Sequence, residues 1–324
     1  MSKCAVLGAG AWGTTLSILL AEGGHEVSLW SYEADLVPEM IKYRENRKYL
    51  TGFPLPESID LVDSREVAWQ GAELIILAVP TQYLRAQLKG LPADALVVSA
   101  SKGLEERTLR RPSELIAEFH KGELAVLSGP NLAREIAAGK PAASVIAAKD
   151  RATAEKAQKY LMRDRFRVYT NGDVIGVELG GALKNIIAIA AGCADGLGLG
   201  DNAKSALLIR GIAEITRLGV ALGAQAQTFF GLSGMGDLIT TCESALSRNH
   251  MIGFELAKGK KLQEILSSMK DVAEGVPTAR AALVLAEKKK VTMPITEQVN
   301  KVLFEGLNPY QAIEELMTRT PTSE

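Results

Sequence analysis

The sequence predicts an α/β doubly wound sheet domain followed by an all-α C-terminal domain, and three observations carry that reading. A glycine-rich turn, G-x-G-x-x-G at Gly8, Gly10 and Gly13, lies between a strand-like run and a helix-like run. Short continuous apolar runs bounded by Gly, Pro and Ser recur through the first half of the chain, as parallel strands buried on both faces do. From about Asn171 onward, Ala- and Leu-rich segments with three-to-four periodicity replace them, which points to helices. A length of 324 residues gives room for two domains with a core each. The domains are placed at residues 1–172 and 173–324, with the Asn-Gly turn signal of "YTNGDVIG" at the join.

The first run, "KCAVL", reads as a strand, and "TTLSILLAEGG" after the glycines as an amphipathic helix. Glycines at this spacing allow a tight turn, close approach of a pyrophosphate and close packing of helix on strand, with the phosphates at the helix N-terminus. With the second strand "HEVSLW" following in order, the context favours a Rossmann-type dinucleotide site over a bare structural turn. Gly8, Gly10, Ala11, Trp12 and Gly13 are therefore expected at the cofactor, Ala11 and Trp12 through their backbone amides. The second strand should end near Trp30, where an acid grips the 2′-hydroxyl of NAD or a basic residue accommodates the 2′-phosphate of NADP. Ser31 and Tyr32 stand there as the candidate contacts, Glu33 comes slightly late, and no Arg is adjacent. The choice between NADH and NADPH stays open, with a slight lean to tolerance of NADPH.

The runs "AELIILAV", "ALVVSAS", "ELAVLSG" and "AASVIAA" continue the sheet. In open parallel sheets, ligands gather beyond the carboxyl ends of the strands. Pro80, Lys102, Gly129 and Asn131 fall at such ends. Each has a plain structural reading, as a strand stop, a solvated lysine or a turn; together they border the cofactor cleft. Hydride delivery to a carbonyl leaves negative charge developing on oxygen, and Lys102 is a candidate to stabilise it.

In the second half, "VELGGALKNIIAIAAG" is an apolar helix with Lys184 and Asn185 embedded in it, and Gly180, one turn before Lys184, leaves space on that face. Such a lysine could snorkel to solvent. Burial would instead tune its proton transfer toward working pH and would require a carboxylate nearby. Asp237, in "GLSGMGDLITTCESALSRN", is a plausible partner, although it could also simply cap a helix. Ser247, Arg248 and Asn249 open a further helical pattern, and a helix N-terminus with a planar bidentate Arg suits a phosphate. "DGLGLGD" reads as a structural loop, and Lys288 to Lys290 as a solvated helix end.

Composition narrows the classes. The chain is 47% hydrophobic and 23% charged, as soluble globular proteins are, and its net charge of -1 gives no electrostatic case for nucleic acid or an anionic membrane. Cys4, Cys193 and Cys242 are far apart and in no metal-type spacing, which suits free thiols in a reducing, cytoplasmic compartment and no metal site. The N-terminal apolar run is broken by glycines, unlike a signal peptide. The most apolar later stretch, Ile186 to Ala191, reads as too short to span a bilayer.

Taken together, "GAGAWGT", "SASKGLE", "SGPNLAREIA", "ELGGALKNIIAIAAGCADGLGLGDNAKSALLIRG" and "GLSGMGDLITTC…SRN" resemble NAD(P)-dependent glycerol-3-phosphate dehydrogenases of the bacterial soluble type, over nearly the full chain. The resemblance implies a Rossmann-type domain followed by a helical substrate-binding and catalytic domain, commonly in a homodimer. It also implies reversible reduction of dihydroxyacetone phosphate to sn-glycerol 3-phosphate with NAD(P)H, which feeds phospholipid synthesis. By position it makes Lys184 the catalytic acid/base, Lys102 a substrate-orienting lysine that also meets the cofactor, and Asp237 the carboxylate beside them. Thr241, Arg248 and Asn249 become substrate contacts, with Arg248 also approaching the cofactor, and Gly129, Asn131 and Ser247 line the same pocket. Ala133, Val272 and Glu274 become cofactor contacts. Asn131 departs from the Ser or Thr usual in bacterial members, and "SYEAD" lacks the basic residue many of them carry. The competing readings are another two-domain dehydrogenase of the 6-phosphogluconate or hydroxyacid type, which would need different anchors, and a dinucleotide sensor without turnover. A sensor has no need of Lys102, Lys184 and Asp237.

Overall fold

The computed structural model describes residues 1–269 and 272–320. Its contacts divide into two compact units, residues 1–102 with 110–178 and residues 103–109 with 179–324. The first unit holds one sheet of eight strands: β1 (Lys3–Leu7), β2 (Glu26–Trp30), β3 (Ile59–Val62), β4 (Leu74–Leu77), β5 (Leu96–Ser99), β6 (Leu124–Ser128), β7 (Ala142–Ala148) and β8 (Phe166–Asn171). Their order is β3-β2-β1-β4-β5-β6-β7-β8, and β1 to β6 are mutually parallel. The order reverses between β1 and β4, which is where ligands of such sheets bind, beyond the strand carboxyl ends.

Three details correct the sequence reading. The run "AASVIAA", expected as another parallel strand, is β7 and lies antiparallel to β6, with Ser128 opposite Val145. A run buried on both faces fixes a strand's depth in the sheet and leaves its direction open. The edge strands β3 and β8 gave no continuous run because one face of each is wet: Ile59 and Leu61 are buried with Asp60 exposed between them, and Phe166 and Val168 with Arg167 exposed between them. The helix Ala11–Glu22 is buried at every position from Gly13 to Leu20, so it is not amphipathic. The helices Ala133–Ala137 and Arg151–Leu161 pack on it as well as the sheet.

The described part of the second unit is helical and contains no strand. Most of the helix Val174–Leu197 belongs to it, together with Gly200–Ala221, Asp237–Glu243, Arg248–Ala257, Gly275–Lys289 and Pro294–Asn300. Two of these helices touch backbone to backbone. A Cβ on Gly192 would lie 1.9 Å from the carbonyl oxygen of His250, and one on Gly253 would lie 1.9 Å from that of Ile189. "DGLGLGD" is accordingly mostly helix ends, with Gly198 and Leu199 alone between Val174–Leu197 and Gly200–Ala221. Buried Glu214 caps Pro294–Asn300, accepting from the amides of Ile295 and Thr296 at 2.9 and 2.8 Å.

The apolar stretch around Ile186 also runs longer than expected. It lies inside a 24-residue helix that is long and apolar enough to cross a membrane by length and composition, and 83% of its most apolar window is buried inside the protein. Burial of that kind is what a core helix shows. All three cysteines are free and buried, and burial first of all pushes each thiol up to about 12.

Candidate active site

In the first unit two glycines of the opening motif have a steric reason, and the third borders open space. Gly8 has φ +111°, and a Cβ there would sit 2.6 Å from the Ala78 carbonyl oxygen just past β4. A Cβ on Gly13 would sit 1.9 Å from the carbonyl oxygen of Gly8. Around Gly10, at the start of the helix, a Cβ would meet nothing within 4 Å, so the backbone faces open space. Tight turn, close packing and an open cradle at a helix N-terminus are what a pyrophosphate site requires. Trp12 lies partly buried with its ring edge-on to Phe166 at 6.5 Å, and its indole Nε1 is buried without a hydrogen-bond partner. Gly13→Ala is expected to cost about 1–3 kcal/mol of stability through overpacking. It should also weaken NAD(P)H binding as the loop shifts, which thermal melts and a cofactor titration check.

Two groups that the sequence reading missed hold this loop. Asn46, fully buried, donates to the Ala9 carbonyl and to Thr14 Oγ1, both at 2.8 Å. Thr15 Oγ1 donates to the Ala133 carbonyl at 3.2 Å, which puts Ala133 against the helix of the glycine loop. Thr15 lies two residues after the motif and could have been read from it. Asn46 lies in the polar run "YRENRKYL", which carries no such signal.

At the end of β2, Ser31 is buried and its Oγ accepts from the Glu33 amide at 3.1 Å, whereas Tyr32 is 80% exposed. Glu33 takes hydrogen bonds from Lys48 and Tyr49, both 2.5 Å, and although burial opposes it, those bonds hold its carboxyl below the usual range. At the next strand ends, Lys102 Nζ donates to the Gly129 carbonyl at 2.9 Å, and Ser101 Oγ donates to that of Val79 at 2.5 Å. Pro80 precedes the short helix Thr81–Leu84. Asn131 Oδ1 accepts from Ser144 Oγ at 3.1 Å, so this side chain is tied into the start of β7. Pro80, Lys102, Gly129 and Asn131 thus gather on one edge of the sheet, as expected.

In the second unit Lys184 is buried. Its ammonium donates to Asp237 Oδ1 at 2.8 Å and to Thr241 Oγ1 at 2.5 Å, and Asp237 is itself 2% exposed. Thr241 Oγ1 also donates to the Asp237 carbonyl at 2.6 Å, one turn back along their helix. The space beside Gly180 is filled rather than open. A Cβ there would lie 2.6 Å from the Ser233 carbonyl oxygen, so the backbone of the π-turn Leu232–Gly236 presses on the helix and delivers Asp237 to Lys184.

A second cluster adjoins the first through Asn185 and Gly275. Ser247 caps the helix Arg248–Ala257, its Oγ accepting from the His250 amide at 3.2 Å. Arg248 donates to the Val272 carbonyl at 2.9 Å, and buried Asn249 accepts from the Gly275 amide at 3.1 Å. A Cβ on Gly275 would meet Asn249 Oδ1 at 2.6 Å and the Asn185 carbonyl at 3.0 Å. Glu274 lies directly before that contact, so Ser247, Arg248, Asn249, Val272 and Glu274 form one group at a helix start.

A mostly parallel sheet with a glycine cradle at its switch point, and a helical unit with a buried lysine held by a carboxylate, define a two-domain nicotinamide-dependent dehydrogenase. Comparison with known proteins narrows the class. Family models described as the NAD-dependent glycerol-3-phosphate dehydrogenase N-terminus and C-terminus match residues 3–154 and 173–314. The chain is 49% identical over 330 residues to glycerol-3-phosphate dehydrogenase [NAD(P)+] of Citrifermentans bemidjiense, covering 99% of this chain and 98% of that protein. It is 47% identical to the Bacillus velezensis protein of the same name, covering 100% and 96%. The crystal structure of glycerol-3-phosphate dehydrogenase from Coxiella burnetii superposes with a TM-score of 0.95 at 38% identity, over 98% of this chain and 99% of that one. The chain belongs to the NAD-dependent glycerol-3-phosphate dehydrogenase family. It is thereby an NAD(P)-dependent oxidoreductase.

Proposed function

We propose that the chain interconverts dihydroxyacetone phosphate and sn-glycerol 3-phosphate, supplying glycerol 3-phosphate for phospholipid synthesis in the cytoplasm as a homodimer, with its domains divided at residues 172 and 173. The observation that carries the reading is the buried Lys184–Asp237–Thr241 cluster in a chain of this family. Exposed apolar side chains in the helical unit, such as Ile209 and Phe230, agree with self-association.

Bound NAD(P)H supplies the hydride. Gly8, Gly10, Ala11, Trp12 and Gly13 hold its pyrophosphate, and Ser31, Tyr32, Pro80 and Ala133 flank it in the first unit. Lys102, fixed by the Gly129 carbonyl, positions the substrate oxygen and meets the cofactor, with Asn131 beside it. In the second unit Lys184 gives a proton to the alkoxide that forms at the ketone carbon. Asp237 and Thr241 aim the ammonium and keep it from turning away. Arg248 and Asn249, with Ser247, take the substrate phosphate at the start of their helix, and Val272 and Glu274 complete the cofactor contacts.

The test follows the absorbance of NADPH and, separately, of NADH on adding protein with dihydroxyacetone phosphate, with unphosphorylated dihydroxyacetone as control. Oxidation that requires the phosphate is expected. Equal rates with both ketones would remove the phosphate anchor from the reading, and no oxidation with either cofactor would point to another substrate.

A further inference from the structure

Glu33, which comes late after β2, is built into the edge of the glycine cradle. Its carboxylate accepts from Tyr49 Oη at 2.5 Å and from Lys48 Nζ at 2.5 Å. Both donors stand in a turn that Asn46 closes, accepting from the Tyr49 amide at 3.1 Å through its side chain and from the Leu50 amide at 2.9 Å through its carbonyl. Asn46 also grips the Ala9 carbonyl and Thr14 at 2.8 Å. The position of the pair is therefore set by the same loop that cradles the pyrophosphate, at the carboxyl end of β2.

Neighbouring side chains are committed elsewhere. Ser31 is buried, with its hydroxyl oxygen accepting from the Glu33 amide. Lys42 and Arg47 lie over the Tyr43 ring, Arg44 donates to the Ile59 carbonyl at 3.0 Å, and Arg134 donates to that of Thr51 at 3.1 Å. Lys48 instead reaches Glu33, and both side chains are about 40% exposed. An ion pair so exposed adds little stability. It does put one carboxylate and one ammonium at the edge of a dinucleotide site, where the second strand ends.

We propose that Glu33 and Lys48 together select the cofactor, Glu33 accepting from the ribose 2′-hydroxyl of NADH and Lys48 taking the 2′-phosphate of NADPH. A carboxylate suits the hydroxyl and repels the phosphate, and an ammonium does the reverse. Because Lys48 cancels the Glu33 charge, neither cofactor is shut out, and the chain needs no Arg next to β2 to use NADPH. The proposal rests on the dehydrogenase reading above and concerns only which of its two cofactors the chain prefers.

The experiment titrates purified protein with NADH and with NADPH, following nicotinamide fluorescence, for the wild-type chain, Lys48→Ala and Glu33→Gln. The ratio Kd(NADPH)/Kd(NADH) is expected to rise about tenfold or more in Lys48→Ala, the loss of one charge-assisted contact to phosphate. In Glu33→Gln, which keeps the shape of the side chain and removes its charge, the same ratio should fall. Both side chains are exposed, so melting temperatures should stay close to that of the wild type and exclude misfolding as the cause. A ratio unchanged in both variants, or two dissociation constants that move in step, overturns the proposal while leaving the dehydrogenase reading intact. Binding of neither cofactor by the wild-type chain overturns that reading and the proposal with it.

Discussion

Replacing Lys184 by alanine is expected to cut turnover by about a hundredfold to ten-thousandfold, the usual contribution of positioned proton transfer. The expectation follows from burial and pairing. An ammonium 2.8 Å from Asp237 and 2.5 Å from Thr241, in a helix with few other polar groups, is held in one orientation with its stem packed in the core. Alanine removes the proton donor and leaves the glycine cradle of the other unit untouched. Dissociation constants for NADH and NADPH should therefore change far less than kcat. Lys184→Arg keeps the charge but brings a planar guanidinium that resists giving up its proton, so it should rescue little. Steady-state kinetics with dihydroxyacetone phosphate decide the matter, and near-normal turnover in Lys184→Ala would remove the lysine from the chemistry.

Much of this arrangement was legible in the sequence where a local rule has one physical solution. Gly8 and Gly13 are such a case, because a turn with φ +111° and a contact that would put Cβ 1.9 Å from a carbonyl admit glycine only. The link from Lys184 to Asp237 was legible for a different reason. An ammonium in an apolar helix needs an anion, and Gly180 on that helix is what lets the segment before Asp237 come close. Direction and edges were less accessible. The antiparallel run of β7 depends on how the chain returns from β6, and the wet faces of β3 and β8 break up the runs that betray central strands. Asn46 and Lys48 were out of reach because their partners, Ala9 and Glu33, are tertiary neighbours that no sequence period connects. The full extent of the helix around Ile186 was missed because two charged side chains, Glu178 and Lys184, interrupt its apolar run, and each is buried with a partner.

Asp237→Ala should cost more stability than its size suggests, about 3–5 kcal/mol, since it removes the carboxylate from a buried ammonium. Thr241 stays within reach of Lys184, because its hydroxyl is also held by the Asp237 backbone carbonyl, which the substitution keeps. A neutral oxygen does not replace a carboxylate, so Lys184 is left poorly compensated in a site where it is 6% exposed. The same reasoning predicts non-additivity. Converting Lys184 to Met as well removes the stranded charge, so Lys184→Met/Asp237→Ala should be more stable than Asp237→Ala alone, even though it carries one substitution more. Denaturant unfolding of the wild type, both single variants and the double variant closes the cycle. A coupling energy near zero would mean that the 2.8 Å contact carries no net interaction in solution, and would leave Asp237 as a helix-start residue with no hold on the lysine. A large coupling, together with turnover in Asp237→Ala that falls more than its stability explains, would place the carboxylate's role in aiming the ammonium: a pair kept at some cost in desolvation because the reaction needs the proton in one place.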